Sequence, residues 1–204
     1  MRKMAKFLCT CMLILTALWI LDVISDRQTL SKDLIRLHVV ANSDSIADQT
    51  IKIQVRDAVT ASLQPAMADL KDTRQAEAYL QAHLSNLEEI ANQTLAEAGV
   101  QEKATVTLAE EAFPVRHYDT FSLPSGVYRS LRITIGEGQG KNWWCVVFPS
   151  LCLPAAGENF SDTAAGAGFS DGLSSTLEGE QPYQVRFFLL DLLGKVQNFF
   201  HQFG

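Results

Sequence analysis

The sequence has few of the residues from which metal centres and reactive thiols are built. It contains four cysteines and four histidines among 204 residues. None of the cysteines stands in a Cys-x-x-Cys pair, and neither a His-x₃-His pair nor a His-Glu-x-x-His motif is present. Structural and catalytic zinc sites depend on such spacings. We therefore expect no metal and no other cofactor.

Clusters of basic residues are also missing. The chain carries 17 basic and 23 acidic residues, and its net charge is −6. Without the first 25 residues the net charge becomes −8, from 14 basic and 22 acidic residues. Proteins that bind nucleic acids present a basic patch to the phosphates. No nucleic-acid partner is expected.

What the N-terminus does have is one apolar run, which extends from residue 7 to 21 after Arg2, Lys3 and Lys6. A basic start followed by 15 apolar or weakly polar residues is typical of an export signal. Residues 23–25 match the small-x-small cleavage pattern poorly, so an uncleaved membrane anchor remains an alternative. Residues 1–25 are thus predicted to be a signal peptide or an N-terminal anchor, with the rest of the chain outside the cytoplasm.

Three glycines, at positions 136, 138 and 140, separate two predicted strands, 128–135 and 143–148. A phosphate-binding cradle needs a helix after the glycines, and here a strand follows. The prediction is a hairpin loop. Cys145 and Cys152 flank the end of the second strand, and two readings stay open: a disulfide that needs a turn at Pro149, or two buried thiols.

The fold prediction is α+β, with an antiparallel or mixed sheet of about four strands in residues 30–154. The other strands are predicted at 34–41 and 103–108, and helices at 46–63 and 73–98 are expected to cover one face. Ser45 and Asp48 form a capping box for the first helix, and Pro65 is placed beyond its end. His38 and the pair His117 and Asp119 are interpreted as ordinary residues, so no catalytic residue is assigned.

The last 50 residues change character. Residues 155–181 are rich in Gly, Ser, Ala and acidic residues and are predicted to form a flexible linker. The spacing of apolar residues in 182–204 predicts an amphipathic helix, with Val185, Phe188, Leu192 and Phe199 on one face. This face suits a groove, a partner protein or a membrane surface. A docked or partner-binding helix is slightly favoured.

Two adjacent tryptophans, Trp143 and Trp144, stand at the start of the strand after the glycines. Neighbouring residues of a strand point to opposite faces, so one ring is expected in the core and the other at the surface as a binding anchor. In the alternative, both rings are buried beneath the linker or the C-terminal helix.

Several motifs together resemble the stage II sporulation protein R family over about residues 30–154. They are Arg36-Leu-His-Val-Val-Ala-Asn-Ser-Asp-Ser45, Phe113-Pro-Val-Arg116, Gly136-Glu-Gly-Gln-Gly-Lys-Asn-Trp-Trp-Cys145 and Phe148-Pro-Ser-Leu-Cys152. The candidate partner-binding residues within them are Trp143, Trp144, Asn142, Asn42, Asp44 and Arg116.

The resemblance implies a signalling protein of endospore-forming bacteria rather than an enzyme. Such a protein is exported from the forespore into the space between the two membranes. There it activates a membrane-embedded aspartic protease of the mother-cell side, which processes the precursor of sigma factor E. Two alternatives are an exported cell-envelope hydrolase and a tethered adhesion module.

Overall fold

A four-stranded mixed sheet forms the centre of the computed structural model, which describes residues 2–118, 121–149, 164, 169–178 and 185–203. In chain order the elements are α1 (Arg2–Asp33), β1 (Ile35–Val40), α2 (Ile46–Asp69), α3 (Thr73–Glu97), β2 (Ala104–Phe113), β3 (Arg116–His117), β4 (Ser122–Leu123), β5 (Gly126–Ile135), β6 (Asn142–Phe148), α4 (Asp171–Glu178) and α5 (Val185–His201). The sheet order is β2-β5-β1-β6, and β3 pairs with β4 separately. The predicted α+β class is confirmed.

One face of the sheet is covered by α2 and α3, as the single apolar stripes of these helices predicted. Their buried residues form one core with the inward-facing side chains of β1, β5 and β6. Val55 and Val59 of α2, and Leu80 and Ala91 of α3, are fully buried in it. This first core is almost wholly aliphatic.

The opposite face carries a second core, which sequence reasoning did not predict. It is formed by the last turns of α1, by α4 and by α5. Aromatic side chains are prominent in it, and Arg36 and His38 of β1 point into this layer, 0% and 3% exposed. The Arg36 guanidinium lies 4.1 Å from the centre of the Phe113 ring and donates a hydrogen bond to the Tyr118 hydroxyl at 2.8 Å. The sheet is therefore sandwiched between two helical layers.

The glycine loop is not a hairpin, so that prediction is wrong. β1 lies between β5 and β6, parallel to β5 and antiparallel to β6. The chain therefore leaves β5, crosses the end of β1 and returns along its other side. The physical reason is that all six residues of β1 are buried, and a strand covered on both faces is most favourably placed in the interior of the sheet.

Two predicted boundaries also need correction. Pro65 lies inside α2, which continues to Asp69 because Met67 in its last turn packs into the first core. β2 extends to Phe113, since Glu110 and Glu111 pair with Arg129 and Tyr128 of β5. These acidic residues made the second half of the strand look like a loop.

The linker prediction for residues 155–181 is wrong over α4. Leu173 and Leu177 of this helix are fully buried in the second core, and Phe169 before it is 5% exposed. These apolar residues stand in a Gly- and Ser-rich context that hides their helical spacing. The remaining residues of the predicted linker, apart from Ala164 and Ser170, lie outside the described residues.

α1 extends well beyond the predicted N-terminal segment. It is the helix, among the described residues, that is long and apolar enough to cross a membrane. Its apolar side chains before residue 22 are largely exposed, whereas Val23, Arg27 and Leu30 are buried against the domain. Such a helix suits either a signal sequence or an anchor, and it passes without a break into the folded domain.

Candidate functional site

Two loops meet at one end of the sheet, here called the loop end. Residues 41–45 follow β1, and residues 136–141 follow β5. Because β1 and β5 are parallel, both loops leave the sheet at the same end. The candidate binding residues Asn42 and Asp44 of the first loop are therefore brought close to the three glycines of the second loop.

Asn42 and Asp44 hold the glycine loop in place. The Asn42 side-chain oxygen accepts a hydrogen bond from the Glu137 N–H at 3.0 Å, and the Asp44 carboxylate accepts one from the Lys141 N–H at 2.7 Å. Main-chain bonds join Gln139 N–H to Asn42 and Gly140 N–H to Ala41. The approach is so close that a Cβ on Gly140 would lie 2.2 Å from the Ser43 carbonyl oxygen. The two loops thus form one unit, here called the loop pair.

The start of α2 completes this unit. Ser45 caps the helix by accepting from the Asp48 N–H at 3.0 Å, as the capping box predicted. Ser43 in turn donates to the Asp48 carboxylate. The hydrogen bond from Ser43, with further bonds from Asn42 and Ser45, holds the pKa of Asp48 below its usual value. Asp48 therefore remains ionised and braces the first loop.

A buried lysine fixes the other side of the loop pair. Lys52 is 4% exposed, and its ammonium group donates to the Gln49 side chain at 2.6 Å and to the Lys141 carbonyl at 3.0 Å. Burial lowers the pKa of Lys52. The two hydrogen bonds of Lys52 attach α2 to the end of the glycine loop.

Trp144 is set in a polar and aromatic stack beside the loop pair. Its ring lies flat on His38, with ring centres 3.7 Å apart, and meets the edge of Phe113 at 4.7 Å. The His38 ring nitrogens lie 2.7 Å from a Glu111 carboxylate oxygen and 2.9 Å from the Asn142 amide oxygen. Burial works to raise the pKa of Glu111, but the hydrogen bond and charge of His38, with Arg132, hold it below its usual value. These contacts hold Trp144, His38, Phe113, Glu111 and Asn142 in position.

Trp143 points to the opposite face, as the alternation predicted. It packs at the margin of the first core, with the Arg56 guanidinium 4.3 Å from its ring centre. Neither tryptophan is fully buried and neither is fully exposed. The expectation of one buried and one exposed ring is wrong, because helices cover both faces of the sheet and each ring finds partners.

The remaining predicted site residues are divided between structure and surface. Arg116 lies over Trp144, 5.4 Å from its ring centre, and so belongs to the stack. Asn142 is exposed at the start of β6 although its amide contacts His38. Cys145 is buried on β6, whereas Cys152 lies outside the described residues, so their disulfide stays a prediction.

Sequence reasoning missed one surface residue that lies next to the loop pair. Ile46, the first residue of α2, is 88% exposed, the highest value among the large apolar side chains of the described residues. A single isoleucine after a helix cap gives no signal in the sequence. Its position directly after the helix cap leaves its side chain in solvent.

A Gly-x-Ser-x-Gly pattern, Gly168-Phe-Ser-Asp-Gly172, was also overlooked. In hydrolases this pattern joins a strand to a helix and exposes a nucleophilic serine. Here Ser170 precedes α4, and its hydroxyl accepts from the Leu173 N–H at 3.1 Å, which is the bond of a helix cap. Across the described ranges, no three His, Cys, Asp or Glu side chains are arranged to hold a metal ion.

The sequence model of the family described as Stage II sporulation protein R matches residues 31–158. This match covers more than half of the chain and includes the sheet, α2, α3 and the loop pair. The chain belongs to the stage II sporulation protein R family. Membership supports a role in sporulation.

A curated member of the stage II sporulation protein R family is 36% identical over 119 residues. It is the Stage II sporulation protein R of Bacillus subtilis (strain 168), and the aligned region is 58% of this chain and 53% of that protein. The chain thus spans about half the length of its curated relative. No solved structure matches the chain.

Proposed function

We propose that this chain is an exported sporulation signal that activates a membrane-embedded aspartic protease, the enzyme that processes the precursor of sigma factor E. Family membership over residues 31–158 is the observation that carries the proposal. The loop pair is the surface that contacts the protease. The chain acts by binding rather than by catalysis.

The hydrogen bonds of the loop pair support a binding role. Asn42 and Asp44 each accept from a main-chain N–H of the glycine loop, and Lys52 donates to its last carbonyl. Side chains used in this way position the loop and are not free for proton transfer. The result is a surface whose shape is set before a partner arrives, which lowers the entropy cost of binding.

The outer residues of the loop pair supply the contact. Ile46, at the start of α2 beside the loop pair, offers an exposed apolar side chain, and Glu137, Gln139 and Asn142 of the adjoining loop and strand are exposed polar residues. An apolar anchor within a polar rim is the usual arrangement of a protein interface. Trp143 and Trp144, both partly exposed, follow Asn142 on β6 and point to opposite faces of the sheet.

The position of α1 is consistent with action across a gap between membranes. Arg27 of α1 contacts Tyr128 near the start of β5, whereas the loop pair follows the ends of β1 and β5. The six residues of β1 separate the two ends by about 20 Å, at about 3.3 Å per residue. A chain held by α1 in one membrane therefore presents the loop pair away from that membrane.

The test is reconstitution of the full chain with the protease and its precursor substrate in vesicles. Signalling predicts that processing rises with the amount of chain and saturates near one chain per protease. The chain with Ser170→Ala should activate equally well, because that hydroxyl only caps α4. Turnover of cell-wall material without activation of the protease would contradict the proposal and favour a hydrolase.

A further inference from the structure

α5 packs on the domain through polar and small residues as well as Leu190, Phe187 and Leu189, so most of its large apolar side chains take no part in the contact. Gly194 lies so close to the strand start that a Cβ there would be 1.6 Å from the Ser125 carbonyl oxygen. The Asp191 carboxylate accepts from the Ser125 N–H at 2.9 Å, and Asn198 donates to the Phe113 carbonyl at 2.9 Å. Of its larger apolar side chains, Leu190 alone is fully buried.

The apolar face predicted from the sequence is consequently turned outward. Eight large apolar residues of α5 and the turn that follows it are exposed, by 38–75%: Val185, Phe188, Leu192, Leu193, Val196, Phe199, Phe200 and Phe203. A contiguous apolar patch of this kind on a folded domain marks an interaction surface. This outward apolar face lies outside the residues that match the family.

α5 lies at the same end of the sheet as α1. Arg186 of α5 donates to the Asp22 carboxylate at 2.9 Å and also bonds Asp26, at the point where α1 changes from an apolar exposed helix to a packed one. Farther along, the Gln197 side chain accepts from Arg27 at 2.8 Å. On α5 the neighbours of Arg186 in sequence include the exposed Val185 and Phe188, and on α1 those of Asp22 include the exposed Leu21 and Ile24. Both helices thus expose apolar side chains close to the residues through which they are joined.

The charges of α5 do not point to an anionic partner. Arg186 is neutralised by Asp22 and Asp26, and Lys195 bonds Asp191 at 2.8 Å. Its outward face is rich in phenylalanine, which inserts at the boundary between head groups and acyl chains. Apolar burial, rather than attraction to anionic lipids, is thus the available driving force.

From these contacts we infer that α5 is an interfacial helix, which inserts its outward apolar face into the bilayer that holds α1. The Arg186 ion pairs fix the angle between the two helices at the membrane surface. The domain is thereby oriented on the membrane instead of rotating freely about α1. This inference depends on α1 being in a bilayer and does not depend on the protease proposal.

The test places an environment-sensitive fluorophore on the full chain at Phe199→Cys, with Cys9 and Cys11 replaced by serine. Phe199 is 57% exposed, so the substitution leaves the packing of the domain intact. The matched control carries the label at Gln81→Cys, an exposed position of α3. Both proteins are reconstituted in vesicles of phosphatidylcholine, with about one chain per vesicle.

We expect a blue-shifted emission and strong quenching by brominated lipid for the label at position 199, and neither for the label at position 81. Addition of phosphatidylglycerol or salt should change little. An emission at position 199 that stays the same as in water would overturn the inference. So would a blue shift that appears only when several chains share a vesicle, because the occupant would then be a second copy.

Discussion

At the loop end of the sheet, polar side chains bond the main chain, while the exposed residues are mostly polar and include Ile46. At the α1 end, buried charged and polar groups join the helices to the domain, while the outer surfaces of α1 and α5 are apolar. The difference fits the two surroundings that we propose. One end is suited to water and a protein partner, and the other to lipid.

The largest effect is expected from Trp144→Ala, which tests whether the loop end depends on the stack beneath it. Removing the ring leaves His38 and Phe113 facing a cavity, and such losses cost about 3–5 kcal/mol. Trp143→Ala should cost less, because that ring lies at the margin of the first core. Denaturant unfolding in detergent measures both. Equal losses of unfolding free energy in the two variants would contradict the expectation that the stack around Trp144 contributes more to stability than the margin of the first core.

Gly194→Ala tests the α1 end. The added methyl group overlaps the Ser125 carbonyl and should separate α5 from the sheet, at a cost of about 1–3 kcal/mol. In hydrogen–deuterium exchange, the amides of α5 should lose protection while those of α2 and α3 keep it. Gly172→Ala on α4 is the matched control, since its nearest neighbour would be 3.4 Å away. Unchanged protection of α5 in Gly194→Ala would refute the close packing described.

Asp44→Ala weakens the loop pair without removing core packing. It leaves the Lys141 N–H without its acceptor, which costs about 1 kcal/mol at an exposed site. The glycine loop should become more mobile, and protease activation should fall by more than this small loss of stability explains. The measurement is activation at saturating chain concentration alongside the unfolding midpoint. Full activation would show that the loop need not be fixed in advance.

The smallest effect is a pH dependence in the stack. The pKa of Glu111 is lowered in the folded chain from its ordinary value of 4.5, so its contribution is present above about pH 4.5 and is lost as the pH falls through the lower folded value. Glu111→Gln should therefore lower the melting temperature at pH 7 and lower it progressively less in more acidic solution. A difference between the two proteins that is constant from pH 7 to pH 3 would contradict the assigned role of the carboxylate.

Local signals in the sequence were enough to predict α2, α3 and the apolar parts of the four strands of the main sheet, because their apolar spacing and the Ser45 cap are specific to those elements. The order of the strands could not be predicted in this way, since the same residues of the glycine loop could form either a hairpin or a crossover. Likewise the spacing of α5 predicted an apolar face but not its direction. That direction is set by the contacts of Gly194 and Asp191 with Ser125, a residue more than 60 positions earlier in the chain.

The candidate site was predictable in parts. Asn42, Asp44 and the three glycines each stood out, yet only the parallel pairing of β1 and β5 brings them together. Trp143 and Trp144 stood out as well, but their burial depended on a second helical layer. One helix of that layer, α4, lies within the residues that were predicted to form a linker.

The central claim is that the loop pair, at the end of the sheet away from α1, is the surface that activates the protease. The most direct measurement compares Ile46→Glu with Gln81→Glu, two substitutions at exposed positions that each add one negative charge. In vesicles that contain the protease, Gln81→Glu should activate fully. Ile46→Glu should lose activation while its melting temperature stays unchanged. Equal activation by both proteins would contradict the account.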